Sequence, residues 1–415
     1  MNANPREKGR CGTSALRPFR VNVREAELTE LRKRIKATRF PERETVADFS
    51  QGLPSATIQE LARYWANEYD WRKVEARLNT YPQFITEIDG LDIHFIHVRS
   101  NDENALPLII SHGWPGTIIE QLNIIDLLTN PTAHGASASD SFHLVIPSMP
   151  GYGFSAKPTT TGWDPNRIAR AWAALMTRLE YTNFVAQGGD WGGLVTQQMA
   201  VQAPPGLIGI HTNMPGAVPP ELDDAAAAGA PAPSALLADE RQAYEQLAFV
   251  YKHVQYALCM AALPQTLTGL ADSPVALASF LLDPGLSLFL ARWMRDDQRG
   301  LKFVPYSFDW RDATLTRDDL LDIITLFWLT NTGVSAARLY WENKLPYFSP
   351  KGISMPVAVS VFPDELYACP RTWAERAFPK LIYYNRLDKG GHFAAWEQPG
   401  LLSEELRASF RSLRT

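Results

Sequence analysis

Gly188 to Gly193 read GGDWGG, and this run puts an acid where many hydrolases carry a serine. It follows an apolar, strand-like stretch, Thr182 to Gln187, and precedes a helix-like one that begins near Gly192. Small residues around Asp190 permit a tight strand-to-helix turn that holds one side chain out into a cleft. An ionised carboxylate in such a turn attacks carbon and needs no base to activate it. The plainer reading, a helix N-cap aspartate, is outweighed by the Gly-Asp-Trp-Gly setting and by three further motifs.

Of those motifs, HGWPG at His112 to Gly116 and FPDEL at Phe362 to Leu366 each follow a strand-like run, and GGHFAAWEQP at Gly390 to Pro399 follows the last strand after a loop. Open α/β sheets bind ligands at the carboxyl ends of their strands, where such segments would meet. Their order is nucleophile, acid, histidine, the α/β-hydrolase order. His392 carries an imidazole whose ordinary pKa lies near neutrality, which suits a general base. A lone histidine is more often structural or exposed, and the Gly-Gly-His-Phe setting argues against that here. Two adjacent carboxylates, Asp364 and Glu365, compete to orient it.

The elements that must position these groups follow from periodicity. Leu28, Leu31 and Ile35 recur at helical spacing between Arg24 and Arg39, and Pro41 ends that helix because the residue before a proline is driven out of the helical region. A second helical stretch starts near Thr57 and runs through Leu61, Trp65, Trp71, Val74 and Leu78. Alternation from Phe84 to Ile88 and Leu91 to Val98 around Asp89-Gly90 predicts a hairpin with a two-residue turn. Short apolar strands are predicted at Leu106 to Ile110, His143 to Pro147, Thr182 to Gln187 and Leu207 to Thr212. Helical patterns lie between them at Ile118 to Leu128, Asn166 to Leu179 and Leu194 to Gln202. This alternation implies a mostly parallel sheet covered on both faces.

The alternation stops near Pro215. Pro219 to Pro233, rich in Ala, Pro and Asp, predicts a mobile loop. Asp239 to Leu345 reads mainly as helices punctuated by Pro264, Pro274, Pro284 and Pro305, and strands return at Pro356 to Phe362 and Leu381 to Tyr384. A helical insertion within a sheet predicts a lid over the cleft.

With 46% hydrophobic and 20% charged residues in 415, the chain can bury a large core, which excludes a disordered class. A net charge of -5 gives no basic footprint for nucleic acid. Cys11, Cys259 and Cys369 are odd in number and far apart, so neither a disulfide framework nor a zinc site is expected. The N-terminal MNANPREKGR lacks the apolar core of a secretory signal, and no run reaches the roughly eighteen apolar residues of a membrane span. A cytoplasmic location is expected.

Together these segments resemble the α/β-hydrolase epoxide hydrolases of the microsomal type. The likeness runs from about Arg17 to Arg411 and also includes PFRVNV at Pro18 to Val23, PGYGFS at Pro150 to Ser155 and DSPVALA at Asp272 to Ala278. It implies an α/β-hydrolase fold with a mostly parallel sheet, a helical lid insertion and N-terminal wrapping helices that brace core and lid. The expected divisions are a wrapping region with the first hairpin (1–100), the first part of the core (101–216), the lid (217–345) and the second part of the core (346–415).

The resemblance further implies that Asp190 opens an epoxide to an alkyl-enzyme ester, helped by ring strain, and that His392, oriented by Glu365, directs water onto that ester. Glu365 is preferred over Asp364 because in related sequences the acid directly precedes the final leucine of FPDEL. Backbone N–H groups of Trp191 and Trp114 would form the oxyanion hole, with their indoles open to pocket-wall or core-packing roles. Two lid tyrosines would donate hydrogen bonds to the epoxide oxygen, because a phenol stays protonated at working pH yet can share its proton with an alkoxide. Tyr340, in RLYWEN, matches the second of these. Tyr256 matches the first by its distance from Pro264-Gln265-Thr266, but the intervening Ala-Leu-Cys-Met-Ala-Ala-Leu departs from the family's more polar residues and keeps Tyr251 in competition.

The implied reaction turns a small hydrophobic epoxide and water into a vicinal diol with no cofactor and no metal. No nucleic-acid partner and no membrane anchor are expected, and a homodimer stays open. The lid apolars Phe280, Leu281, Phe289, Trp293, Phe327 and Trp328 divide between core and substrate contacts. The charge clusters Arg24 to Lys36 and Arg292 to Lys302 read as solvated helix faces. A haloalkane dehalogenase would share the aspartate and the ester but needs halide donors in place of lid tyrosines. A binding protein could keep the hydrolase fold without turnover.

Overall fold

A computed structural model of the protein describes residues 15–46, 51–282, 293–296, 300–303 and 315–414. Cys11, Pro284, Phe289 and Pro305 lie outside the described residues, as do parts of the Arg292 to Lys302 cluster. The strands are β1 (Arg17–Phe19), β2 (Gln83–Ile88), β3 (Leu91–Val98), β4 (Leu106–Ser111), β5 (Phe142–Pro147), β6 (Phe184–Gly188), β7 (Leu207–Thr212), β8 (Trp293–Asp296), β9 (Gly300–Phe303), β10 (Val357–Val361) and β11 (Leu381–Arg386). Nine of them form one sheet in the order β1-β2-β3-β5-β4-β6-β7-β10-β11, and β8 pairs with β9. Pairing is antiparallel from β1 to β5 and parallel from β5 to β11.

Strands β5, β6 and β10 are buried along their whole length, as expected when helices cover both faces of a parallel sheet. The β2–β3 hairpin turns at Asp89 and Gly90, both left-handed at φ 51° and 78°, which is what a two-residue turn matched to strand twist requires. Helix Pro165–Arg178 packs with Asp190–Gln202, and Leu122–Thr129 packs with Pro399–Phe410. The chain runs from β4 to β5 on one side and then returns to β6 on the other. That reversal opens a crevice at the carboxyl ends of β4 and β6, the usual ligand site of such sheets.

The second helical stretch at the N-terminus is two helices, Ser55–Asn67 and Trp71–Leu78, because Asp70 caps the second by accepting from the Arg72 N–H. Ser55–Asn67 docks on helix Arg317–Leu329, with Trp65 Nε1 donating to Thr325 Oγ1 at 2.9 Å and the Tyr64 hydroxyl to Asp318 Oδ1 at 2.7 Å. Tyr69, just beyond that helix, donates to Asp322 Oδ1 at 2.6 Å. Among the described residues no single helix is long and apolar enough to cross a membrane.

Two stretches of the chain depart from expectation. The loop predicted at Pro219 to Pro233 contains a helix, Pro220–Ala227, with Pro at its first position and Glu221 and Asp223 in its first turn. Proline and acids are loop signals in isolation, but at a helix start the fixed φ and the helix dipole favour both. Among the described residues from Asp239 to Leu345, which are otherwise mainly helical, β8 and β9 form an antiparallel pair.

Candidate active site

Asp190 sits at the turn from β6 into helix Asp190–Gln202, with a left-handed φ of 49° and 6% of its surface exposed. The glycines around it are required by close approach. A Cβ at Gly192 would lie 2.0 Å from the Ser111 carbonyl oxygen, and one at Gly113 would lie 2.3 Å from Asp190 Oδ1. The HGWPG loop leaves the end of β4 and is pinned by His112, whose Nδ1–H donates to the Gly113 carbonyl at 2.9 Å while Nε2 accepts from the Met149 N–H at 3.1 Å. Burial holds His112 down to about 4, so it is a neutral anchor. The loop, which includes a cis Trp114–Pro115 peptide, brings the Trp114 N–H to Asp190 Oδ1 at 2.7 Å. The backbone amide of Trp191, the next residue, also acts to lower the Asp190 pKa. Burial pushes Asp190 above the usual carboxylate range, against the opposing pull of His392 and these donors.

The second group converges from the ends of β6, β7, β10 and β11. His392 Nδ1 donates to Glu365 Oε1 at 2.6 Å, and its Nε2 stands 3.6 Å from Asp190 Oδ2. Glu365 Oε1 also accepts from the Leu366 N–H at 2.7 Å, and Oε2 accepts from Asn213 Nδ2 at 3.2 Å. Asn213 Oδ1 in turn accepts from Gln187 Nε2 at 3.2 Å. Of the two adjacent acids, the structure brings Glu365 to the imidazole, while the Asp364 backbone bridges to Gly391. Burial alone would lower the His392 pKa, but the negative charges of Glu365 and Asp190 outweigh it and raise it to about 9.

Three tyrosines face Asp190. Tyr256, from helix Gln255–Ala262, stacks on the Trp114 indole with ring centres 5.2 Å apart. Tyr340, from helix Gly333–Glu342, meets the Trp191 ring edge-on at 4.6 Å and the Trp114 ring at 5.7 Å. The Tyr347 hydroxyl donates to Asp190 Oδ2 at 2.9 Å. Burial raises all three phenols well above 10, so each is a hydrogen-bond donor at any working pH. Tyr251 is elsewhere, bonded to Asp223 of helix Pro220–Ala227. The Trp114 and Trp191 indoles thus pack against the site tyrosines. Among the lid apolars, Phe280 reaches Trp114 at 6.0 Å, whereas Phe327 packs on Tyr152 and Trp328 lies under Arg34.

A carboxylate fixed by the Trp114 amide on one side, an imidazole on the other and phenols in front can form and then hydrolyse an ester. Residues 16–121 match the model of the epoxide hydrolase N terminus, and residues 107–250 match that of the α/β hydrolase fold. A Stigmatella aurantiaca protein assigned to the epoxide hydrolases is 48% identical over 96% of this chain and 85% of its own length. Epoxide hydrolase 1 of Sus scrofa is 34% identical over 95% of this chain and 88% of its own. The chain belongs to the microsomal-type epoxide hydrolases. The juvenile hormone epoxide hydrolase of the silkworm Bombyx mori superposes on this epoxide hydrolase with a TM-score of 0.83 at 29% identity, over 97% of this chain and 96% of that one. The epoxide hydrolase of Aspergillus niger does so with a TM-score of 0.79 at 28% identity, over 96% of each.

Sequence reasoning missed four polar residues of this epoxide hydrolase's site. Gln187 and Asn213 sit at strand ends, where an amide inside an apolar run was the available signal. Tyr347 follows helix Gly333–Glu342 in an irregular segment with no periodicity to aim it. Glu120 lies between Ile119 and Gln121 in the run after HGWPG, and an acid inside an apolar helix start is the trace it leaves in the sequence.

Proposed function

We propose that this epoxide hydrolase works through an aspartyl ester, with the roles divided as follows. Asp190 Oδ2 attacks a ring carbon while Oδ1 stays in the amide hole of Trp114 and Trp191. Tyr256 and Tyr340 donate to the ring oxygen as its C–O bond breaks. In the free enzyme, protonated His392 and ionised Asp190 form a buried ion pair. Alkylation removes the aspartate charge that helps to hold up the imidazole pKa, so His392 releases its proton, which balances the one taken up by the ring oxygen. Neutral His392 then accepts a proton from water as the hydroxide adds to the ester carbon. Collapse of the adduct expels the diol oxygen, which takes the second proton of the water, and restores the starting ion pair.

The observation that carries this reading is the two-sided hold on one carboxylate, with the Trp114 N–H at 2.7 Å from Oδ1 and His392 Nε2 at 3.6 Å from Oδ2. The aromatic wall of Trp114, Trp191, Tyr256, Tyr340 and Phe280 supports a small hydrophobic epoxide as substrate. His392→Gln keeps the nucleophile and removes the base, so with a styrene-type epoxide the intact protein should gain the mass of one substrate and hold it. Absence of that adduct for every epoxide the wild type turns over would sink the two-step reading.

A further inference from the structure

Beside Asp190 lies a cavity of about 30 Å³ whose lining includes Ser111, Glu120, Gln121, Asp190 and His392 but none of the lid tyrosines. That volume accepts one or two waters. Three buried oxygens on its lining residues, Glu120 Oε2, Gln121 Oε1 and Ser111 Oγ, have no hydrogen-bond partner among the described residues. Buried polar atoms are rarely left unpaired, so several of them around one water-sized space mark a water site.

The geometry of Glu120 is specific. It is 5% exposed, its Oε1 accepts from Gln121 Nε2 at 2.9 Å, and Oε2 is left for the cavity. Its place is kept by the second glycine of HGWPG, because a Cβ at Gly116 would lie 2.2 Å from Glu120 Oε2. Burial pushes the carboxyl up to about 8, so near neutral pH it is chiefly the protonated acid. A protonated Oε2 is a donor, and Gln121 Oε1 is an acceptor.

We propose that Glu120 holds the hydrolytic water: Oε2–H donates to one lone pair, the water's hydrogens go to His392 Nε2 and Gln121 Oε1, and the other lone pair meets the ester carbon of alkylated Asp190. In that step an O–H bond of the water breaks toward His392, a C–O bond forms at the ester carbon and the carbonyl π pair moves onto Asp190 Oδ1, while Glu120 keeps its own proton. The epoxide and the water would then reach Asp190 from separate spaces, the tyrosine side and the Glu120 side. This rests on the aspartyl-ester reading above.

Single-turnover measurements separate the two steps. In Glu120→Leu, ester hydrolysis should fall about 100-fold while alkylation stays within about threefold, so that the adduct accumulates in the intact mass. Glu120→Gln keeps an N–H donor at the same reach and should lose about tenfold or less in the same step. The rate of alkylation itself reports that each variant is folded. Unchanged hydrolysis in Glu120→Leu, equal losses in both steps, or a Gln variant as impaired as the Leu variant would overturn the assignment of the water to Glu120. A His392→Gln control that forms no adduct would instead overturn the ester reading beneath it.

Discussion

At the scale of single residues, the imidazole of His392 is surrounded by acids. Glu365 touches it, Asp190 is close, and Glu120 and Glu397 lie near enough to exchange charge effects with it. Burial raises the outer carboxyls, Glu120 to about 8 and Glu397 to about 7, and so limits the negative charge that accumulates there near neutral pH. The folded pKa of His392, about 9, lies above its ordinary value of 6.5. Its contribution to stability is therefore complete below pH 6.5 and is lost as pH rises through 9. For a buried group the loss is on the order of 3–4 kcal/mol. Urea unfolding of wild type and His392→Gln at several pH values from 6 to 10 would read it as the difference between two slopes. Parallel slopes would mean that the imidazole holds no extra proton in the native state.

At the scale of elements, what was legible in the sequence follows from period and spacing. The strands β4 to β7, β10 and β11 are predicted within one or two residues at most ends because parallel strands of this sheet are short, largely apolar runs between breakers. The Asp89-Gly90 turn and the GGDWGG elbow were legible because their backbone angles need particular residues. Helix Pro220–Ala227 was not, since the same Pro and Asp residues start helices and break them. Nor were Tyr347 and Glu120, whose placement depends on how distant segments pack. The clamp between N-terminal helices and lid was expected only as a bracing role, and the structure gives it atoms. Tyr69 donates to Asp322, an acid that burial has pushed up to about 7. Tyr69→Phe leaves that buried carboxyl without its donor, so it should lower unfolding free energy by about 1–3 kcal/mol. Turnover at saturating epoxide should stay within about twofold, because no site residue touches the pair. A loss of turnover larger than the loss of stability explains would give the N-terminal helices a part in the chemistry.

At the scale of the whole molecule, the proposed roles divide between two bodies of structure. Strand ends of the sheet supply Asp190, His392, Glu365, Asn213 and Gln187, and the helical segment between β7 and β10 supplies Tyr256 and Tyr340. The two are tied by Ser335 Oγ donating to the Gly151 carbonyl and by the Tyr152 hydroxyl donating to the Ala336 carbonyl at 3.2 Å. Ring opening needs both bodies, because the leaving oxygen must be met by a donor from the side opposite the carboxylate. Ester hydrolysis needs chiefly the sheet side, where the imidazole and the small water-sized cavity lie. Tyr256→Phe combined with Tyr340→Phe should therefore slow alkylation by about 100-fold or more and hydrolysis of preformed ester by less than about tenfold. His392→Gln should show the opposite pattern, since it removes the base and leaves both phenols. Rapid-quench detection of the ester in the two proteins makes the comparison direct. If the double tyrosine variant instead accumulates ester as His392→Gln is expected to, the lid serves the second step, and the division between the two bodies is wrong.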